Sequence, residues 1–302
     1  MDKLVEHYGV LLNESTIARI TVAHAGKIFA ATLPAQDWPS DAGESRAIIV
    51  EMDGGMVPIV ETDTTQRDKR KGKKLCWREA KLSLAHVQGS KTLFFGGTLQ
   101  GDVDAAGQCL FDCAIQAGFG RSTAIHGVGD GAPWIADQIE RKFGAKGSYL
   151  VDFYHVCDYL SAAGQAITRT PEEKFEWMDL QKNRLKTQAT KDVLETLRAH
   201  CELADVADSE APVRVCYRYL LNRPEQLNYQ DAIKRDLPIG SGEIESAHRY
   251  VVQQRLKRPG AWWQAHTAER MLALRVHRAN RQWQHYWNRN TAQHYDKIAT
   301  SV

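Results

Sequence analysis

Hydrophobic and polar positions in the first half of the chain predict several strands in succession. An apolar run at 47–53 is followed by Gly54-Gly55 and by a second apolar run at 56–60. This pattern indicates two strands joined by a tight two-glycine turn. Residues 75–84 alternate well enough for a third antiparallel strand. The three strands together favour a meander at the start of a sheet.

Beyond this meander, helix and strand patterns alternate. Asp102 opens a helix that ends at Gly118. A strand at 123–130 precedes a helix beginning near Pro133, and a short apolar strand at 148–153 precedes another helix. The sequence therefore predicts an α/β fold with a mixed sheet flanked by helices.

Both ends of the chain are predicted to be helical. Asn13 stands in a turn that opens a short N-terminal helix. Thr170 followed by Pro171 and by Glu173 at the third helical position is a typical helix start, and helical patterns continue to about Asn222. A last helix is expected from about 242 to 256, with Ser241 as its cap.

Composition excludes most other classes of protein. The chain has 302 residues, 43% of them hydrophobic and 25% charged, with a net charge of +2, which is typical of a globular protein. No stretch approaches the roughly 20 apolar residues of a membrane helix, and the first residues show no apolar signal-peptide core. We therefore expect a cytoplasmic protein, and its six scattered cysteines are expected to be reduced.

Basic residues concentrate in two segments. Residues 66–81 carry eight Lys or Arg side chains against Asp68 and Glu79, and residues 249–289 combine many arginines with interleaved tryptophans and tyrosines. Such segments are often solvated faces, and the aromatics can equally be helix-packing residues. Two such basic segments in one chain favour a polyanionic partner such as DNA. The candidate DNA contacts are Arg67, Lys69, Arg70, Lys71, Lys73, Lys74, Arg249, Arg255, Lys257 and Arg258.

Three acidic residues stand where chemistry is expected. Asp53 ends the first predicted strand, Asp130 ends a later one, and Glu245 lies in the first turn of the last helix, with Glu243 as a rival. Open α/β sheets place functional groups at strand ends. Brought together, the three carboxylates would form an oxygen-only site for Mg²⁺ or Mn²⁺, and two such ions about 4 Å apart cleave phosphodiesters. Each acid alone is equally typical of a turn or a helix cap.

Four segments resemble bacterial insertion-sequence DDE transposases. They are Met52-Asp53-Gly54-Gly55, residues 129–134, Asp152-Phe153-Tyr154-His155-Val156, and Gly240-Ser241-Gly242-Glu243-Ile244-Glu245-Ser246 followed by Arg255-Leu256-Lys257 and Gly260-Ala261-Trp262. The resemblance extends over roughly 47–263. It implies an RNase H-like fold, a five-stranded mixed sheet whose first three strands are antiparallel, interrupted by a helical insertion.

The resemblance also implies roles for individual residues. Asp53 would bridge two metal ions, while Asp130 and Glu245 would each hold one. Asp152, His155 and Trp134 would be accessory residues. The partners would be double-stranded DNA, as transposon ends and target, and a second copy of the chain in a synaptic homodimer.

The same resemblance implies a division of the chain. The parts are a short N-terminal helical segment (1–45) that could include a truncated helix-turn-helix, the first part of the catalytic domain (46–167), a helical insertion (168–225), the completion of the catalytic domain with basic aromatic helices (226–290), and a tail (291–302). Such transposases generally carry a longer N-terminal DNA-recognition region, so we expect a truncated copy or a compact variant.

Two other functions remain open at the level of sequence. An inactive or domesticated transposase remnant would bind DNA without cutting it. A haloacid-dehalogenase-type phosphatase is the other, because Glu51-Met52-Asp53 and Gly129-Asp130-Gly131 resemble its Asp-x-Asp and Gly-Asp-Gly motifs. The nucleophile position of that phosphatase would be occupied by Glu51.

Overall fold

A five-stranded mixed sheet forms the centre of the molecule. The computed structural model describes residues 6, 8–32, 46–63, 65 and 72–299. The strands are β1 (Ile48–Thr62), β2 (Lys73–Val87), β3 (Phe94–Thr98), β4 (Ile125–Gly129) and β5 (Gly147–Val151). Their order in the sheet is β3-β2-β1-β4-β5. The first three strands are antiparallel, and β4 and β5 run parallel to β1. The predicted α/β class with a mixed sheet is confirmed.

Helices flank the sheet and make up most of the second half of the described chain. They are α1 (Glu14–Ala31), α2 (Val103–Gln116), α3 (Pro133–Phe143), α4 (Phe153–Ile167), α5 (Pro171–Lys186), α6 (Thr190–Arg198), α7 (Pro212–Leu221), α8 (Tyr229–Lys234), α9 (Gly242–Ala247), α10 (Ala265–Ala279) and α11 (Trp283–Ala299). Helix α9 continues through a π-helical turn, His248–Gln253, into a last α-helical turn, Gln254–Leu256. No helix in the described residues is long and apolar enough to cross a membrane.

Three residues that are predicted to open a helix act as its N-cap. The side chains of Asn13, Asp102 and Thr170 accept backbone N–H groups in the first turns of α1, α2 and α5. The cap predicted at Ser241 is wrong, because its hydroxyl donates to the Asp152 carboxylate at 2.6 Å and does not bond to α9.

The turn predicted at Gly54-Gly55 is also wrong. Both glycines lie inside β1, where they pair with Lys81 and Ala80 of β2. A Cβ at Gly54 would lie 2.2 Å from the Glu79 carboxylate, and one at Gly55 would lie 2.9 Å from His248 Nδ1. The glycines therefore make room for neighbouring side chains. The connection between β1 and β2 lies instead between Thr62 and Lys73.

Three hydrophobic clusters cover the two faces of the sheet. Val50 and Met52 pack with α2 and α3 on one face. On the other face, alternation directs Ile49 into a cluster with α4 to α8, whereas Val57 and Ile59 join a cluster with α9, α10 and the π-helical turn. The carboxylates of Glu51 and Asp53, on this same face of β1, lie between these last two clusters.

Candidate functional site

Asp53 lies where β1 extends beyond its parallel neighbour. The prediction that it ends a strand is wrong, since β1 continues to Thr62. The pairing of β1 with β4, however, stops at Glu51 opposite Val128. Asp130 follows the end of β4 directly. Adjacent parallel strands therefore bring Asp53 and Asp130 to the same edge.

The Asp53 carboxylate is in a partly desolvated and negatively charged setting. Its side chain is 35% exposed, and Oδ2 lies 3.4 Å from His248 Nε2. Oδ1 accepts the Gly54 N–H at 2.7 Å. Burial raises the pKa of Asp53, His248 lowers it, and the carboxylates of Asp130 and Glu79 raise it further. The Asp53 and Asp130 charges are thus close enough to repel each other.

The N-terminus of α9 is fixed to the sheet by another acid. Glu51, on the same face of β1 as Asp53, is only 1% exposed, and its Oε2 accepts the Ile244 N–H at 2.8 Å. Burial raises the pKa of Glu51 to about 8, and the charges of Glu243 and Glu245 also raise it. In the sequence, Glu51 is a candidate only for the nucleophile position of a phosphatase. Its position two residues before Asp53 in a strand places it on the same face and is the signal for its role here.

Glu243 and Glu245 differ in their surroundings. Glu243 forms an ion pair with His86 Nε2 at 2.8 Å. Glu245 is exposed, and its side chain makes no hydrogen bond or ion pair with the described residues. Glu245 is therefore the acid of this turn that is available to a ligand.

The three predicted acids do not form a closed cluster. In the part of the chain that the structure describes, no group of three or more His, Cys, Asp and Glu side chains is arranged to hold a metal ion. Asp53 interacts electrostatically with Asp130, whereas Glu245 interacts with Glu51. The structure brings the first two acids together and places the third on the helix whose next turn contacts Asp53 through His248.

The predicted accessory residues have structural partners. Asp152 is buried. Its Oδ1 accepts the backbone N–H groups of Tyr154 and His155, and its Oδ2 accepts the backbone N–H and the side-chain O–H of Ser241. The His155 ring lies edge-on to Tyr159, with 5.5 Å between centroids. Trp134 is half-buried against the α2 and α3 cluster.

The predicted DNA contacts differ in exposure. Arg67, Lys69, Arg70 and Lys71 lie outside the described residues. The exposed members of the set are Lys73, Lys74, Arg249, Lys257 and Arg258. Arg255 is only half-exposed, and its guanidinium lies 4.7 Å from the centre of the Trp263 ring. Burial lowers the pKa of Arg255. Its charge is thus partly engaged within the protein.

Comparison with known proteins gives one match. A family model described as "Uncharacterised protein family (UPF0236)" matches residues 120–288, which is more than half of the chain. The chain belongs to the UPF0236 family. The UPF0236 match contains Asp130 and Glu245 and leaves Asp53 outside it. No curated protein matches the chain. No solved structure matches it.

Proposed function

We propose that this protein is a DDE-type DNA transposase that cleaves and joins phosphodiester bonds at insertion-sequence ends. Its five-stranded sheet, with three antiparallel strands followed by two strands parallel to β1, is compatible with an RNase H-like fold. The observation that carries the proposal is the meeting of Asp53 and Asp130 at one edge of β1 and β4, where their charges repel.

The residues at this edge suit Mg²⁺ or Mn²⁺ by their chemistry. Carboxylate oxygens are the ligands that these ions prefer. A cation would also relieve the repulsion between Asp53 and Asp130 at a partly desolvated position. We assign Asp53, Asp130 and Glu245 as the residues that would hold two ions. When bound, such ions activate an attacking oxygen and stabilise the leaving oxygen of a phosphodiester.

The surrounding residues support a nucleic-acid substrate. Arg249 is exposed and lies four residues after Glu245, one turn along the same helical segment. Lys257 and Arg258 are exposed at the end of that segment. These cations suit contact with a DNA backbone, while the carboxylates would hold the metal ions. Double-stranded DNA is the proposed partner, and a homodimer is the proposed assembly.

The competing phosphatase function is disfavoured by the setting of Glu51. A phosphoryl-accepting carboxylate must reach its substrate, but Glu51 is 1% exposed and is bonded to the Ile244 N–H. The inactive-remnant alternative rests on the lack of a closed acidic cluster among the described residues.

The test is strand cleavage of labelled duplexes that carry the sequences flanking the gene in its genome. Asp53→Asn, Asp130→Asn and Glu245→Gln should each reduce Mg²⁺-dependent cleavage to background and leave duplex binding nearly unchanged, because each removes one charged metal ligand. Glu243→Gln is the matched control and should retain cleavage, since Glu243 is paired with His86.

Near-normal cleavage by any of the three variants would reject that residue's role. A wild-type chain that binds these duplexes but does not cleave them with Mg²⁺ or Mn²⁺ would support the remnant function instead.

A further inference from the structure

The loop that carries Asp130 is held by α7 and the residues that follow it. Tyr219 Oη donates to the Asp130 carbonyl oxygen at 2.7 Å. The Arg223 guanidinium donates to the Gly131 carbonyl oxygen through Nη2 at 2.9 Å and Nε at 3.3 Å. From the opposite side, the Gly131 N–H donates to Tyr149 Oη of β5 at 3.0 Å. Three side chains thus bond to two consecutive residues.

The fit between this loop and α7 leaves no free space. Gly131 has a φ of +86°, a conformation that favours glycine. A Cβ at Gly131 would lie 2.3 Å from Tyr219 Oη and 3.0 Å from Arg223 Nε. Tyr219 and Arg223 therefore contact the Gly131 backbone directly, and a shift of either side chain changes the position of the loop.

The two side chains are themselves held in a stack. The Tyr219 ring is stacked on Tyr159, with 4.1 Å between centroids and 18° between planes. The Arg223 guanidinium lies 4.0 Å from the Tyr219 ring centre, and its Nη1 donates to the Tyr219 carbonyl oxygen at 2.9 Å. The Tyr219 hydroxyl is protonated at neutral pH, as an ordinary phenol is, and can donate. The donors are in place without rearrangement.

All of these bonds use the backbone of the loop and leave the Asp130 carboxylate exposed. That carboxylate accepts only the Ala132 N–H among the described residues. We propose that Tyr219 and Arg223 are positioning residues that hold the Asp130 carboxylate within reach of Asp53. This inference rests on the proposed function, and it assigns a role in that function to the end of the helical segment 168–225.

The experiment compares Tyr219→Phe and Arg223→Met with the matched control Tyr159→Phe. The control removes a hydroxyl from the neighbouring ring of the same stack, and that hydroxyl makes no hydrogen bond with the described residues. We expect both test variants to lower the cleavage rate about 10- to 100-fold. They should also raise the Mg²⁺ concentration for half-maximal cleavage, with the KM for the duplex unchanged. Arg223→Lys should restore part of the rate.

A second measurement is independent of activity. Hydrogen exchange of the peptide containing 129–133 should be faster in Tyr219→Phe than in the wild type or in Tyr159→Phe, because the loop loses one of its bonds. Equal exchange in all three proteins would overturn the inference, as would faster exchange with unchanged cleavage and Mg²⁺ dependence.

The two proposals fail in different ways. If Asp130→Asn is inactive while Tyr219→Phe and Arg223→Met cleave as the wild type does, the positioning role is wrong and the proposed function stands. If the wild type does not cleave with either metal ion, the proposed function fails and the positioning role falls with it.

Discussion

The buried Asp152 carboxylate accepts hydrogen bonds from two separate segments of the chain. Its two oxygens accept four hydrogen bonds, two from the first turn of α4 and two from Ser241, just before α9. Asp152 is 3% exposed, and its two bonds from Ser241 are buried, whereas those from Tyr154 and His155 are partly buried. A buried donor that loses its partner costs about 1–3 kcal/mol. Asp152 therefore joins the end of β5 to the helix that carries Glu245.

Asp152→Ala should lower the free energy of unfolding by about 3–5 kcal/mol, because two buried and two partly buried donors lose their acceptor at once. Asp102→Ala is the matched control, since Asp102 caps α2 in the same way but is exposed, and it should cost about 1 kcal/mol. Urea unfolding monitored by circular dichroism measures both. Equal costs for the two variants would show that the bonds to Ser241 contribute nothing.

These two aspartates also show which contacts a sequence can predict. The cap at Asp102 is local, because donor and acceptor are three residues apart. The bond between Asp152 and Ser241 joins residues 89 positions apart, and no periodicity or spacing indicates it. The same reason explains why Tyr219 and Arg223 had no signal, since their partners lie about 90 residues earlier in the chain.

At the scale of elements, β1 is longer than its pattern indicates. Two adjacent glycines between apolar runs are typical of a turn, but here they stay extended because Glu79 and His248 occupy the space beside them. The short strand β3 was not predicted, because two of its five residues are glycines, of which Gly96 packs closely on α2 and Gly97 on β2. Helix α2 had a clear apolar periodicity and was predicted, whereas α10 and α11 were expected only as basic aromatic helices within 226–290.

Gly55→Ala should destabilise the protein by about 1–3 kcal/mol, because its Cβ would push against His248. The matched control is Gly242→Ala, which meets no atom within 4 Å in the first turn of α9 and should be neutral or slightly stabilising. Thermal unfolding distinguishes the two. A neutral Gly55→Ala would mean that His248 moves away at no cost, and that its contact with Asp53 is weak.

At the scale of the whole molecule, a modest net charge hides an uneven distribution. The net charge is +2, but exposed cations follow one another at the start of β2 and after the helical segment 242–256. The sequence alone locates these segments, because the positions of Lys and Arg along the chain do not depend on the fold. It was not sufficient to show that Arg255 is partly withdrawn onto Trp263.

DNA binding should weaken steeply with salt, because each phosphate contact releases counterions. Replacing Lys257 and Arg258 by Ala should lower the slope of log affinity against log salt by about 2. Lys191→Ala, an exposed cation of α6 outside both basic segments, should leave the slope unchanged. Fluorescence anisotropy with a labelled duplex measures all three proteins. A slope that is the same in the double variant and the wild type would exclude these contacts.

The length of β1 and β2 has one more consequence. Beyond Asp53 the two strands pair with each other along 54–62 and 73–81. This part of β1 packs on α9 and α10 through Val57 and Ile59, and its Val60 N–H donates to the Trp263 carbonyl oxygen. Strand β1 is flanked by β4 at residues 48–51, and β2 is flanked by β3 at residues 81–85. At the end of this two-stranded arm, residues 61–62 and 73–75 are exposed, so substitutions there leave the rest of the sheet intact. The end of the arm therefore tolerates substitution, whereas the residues around Asp53 are constrained by everything packed on them.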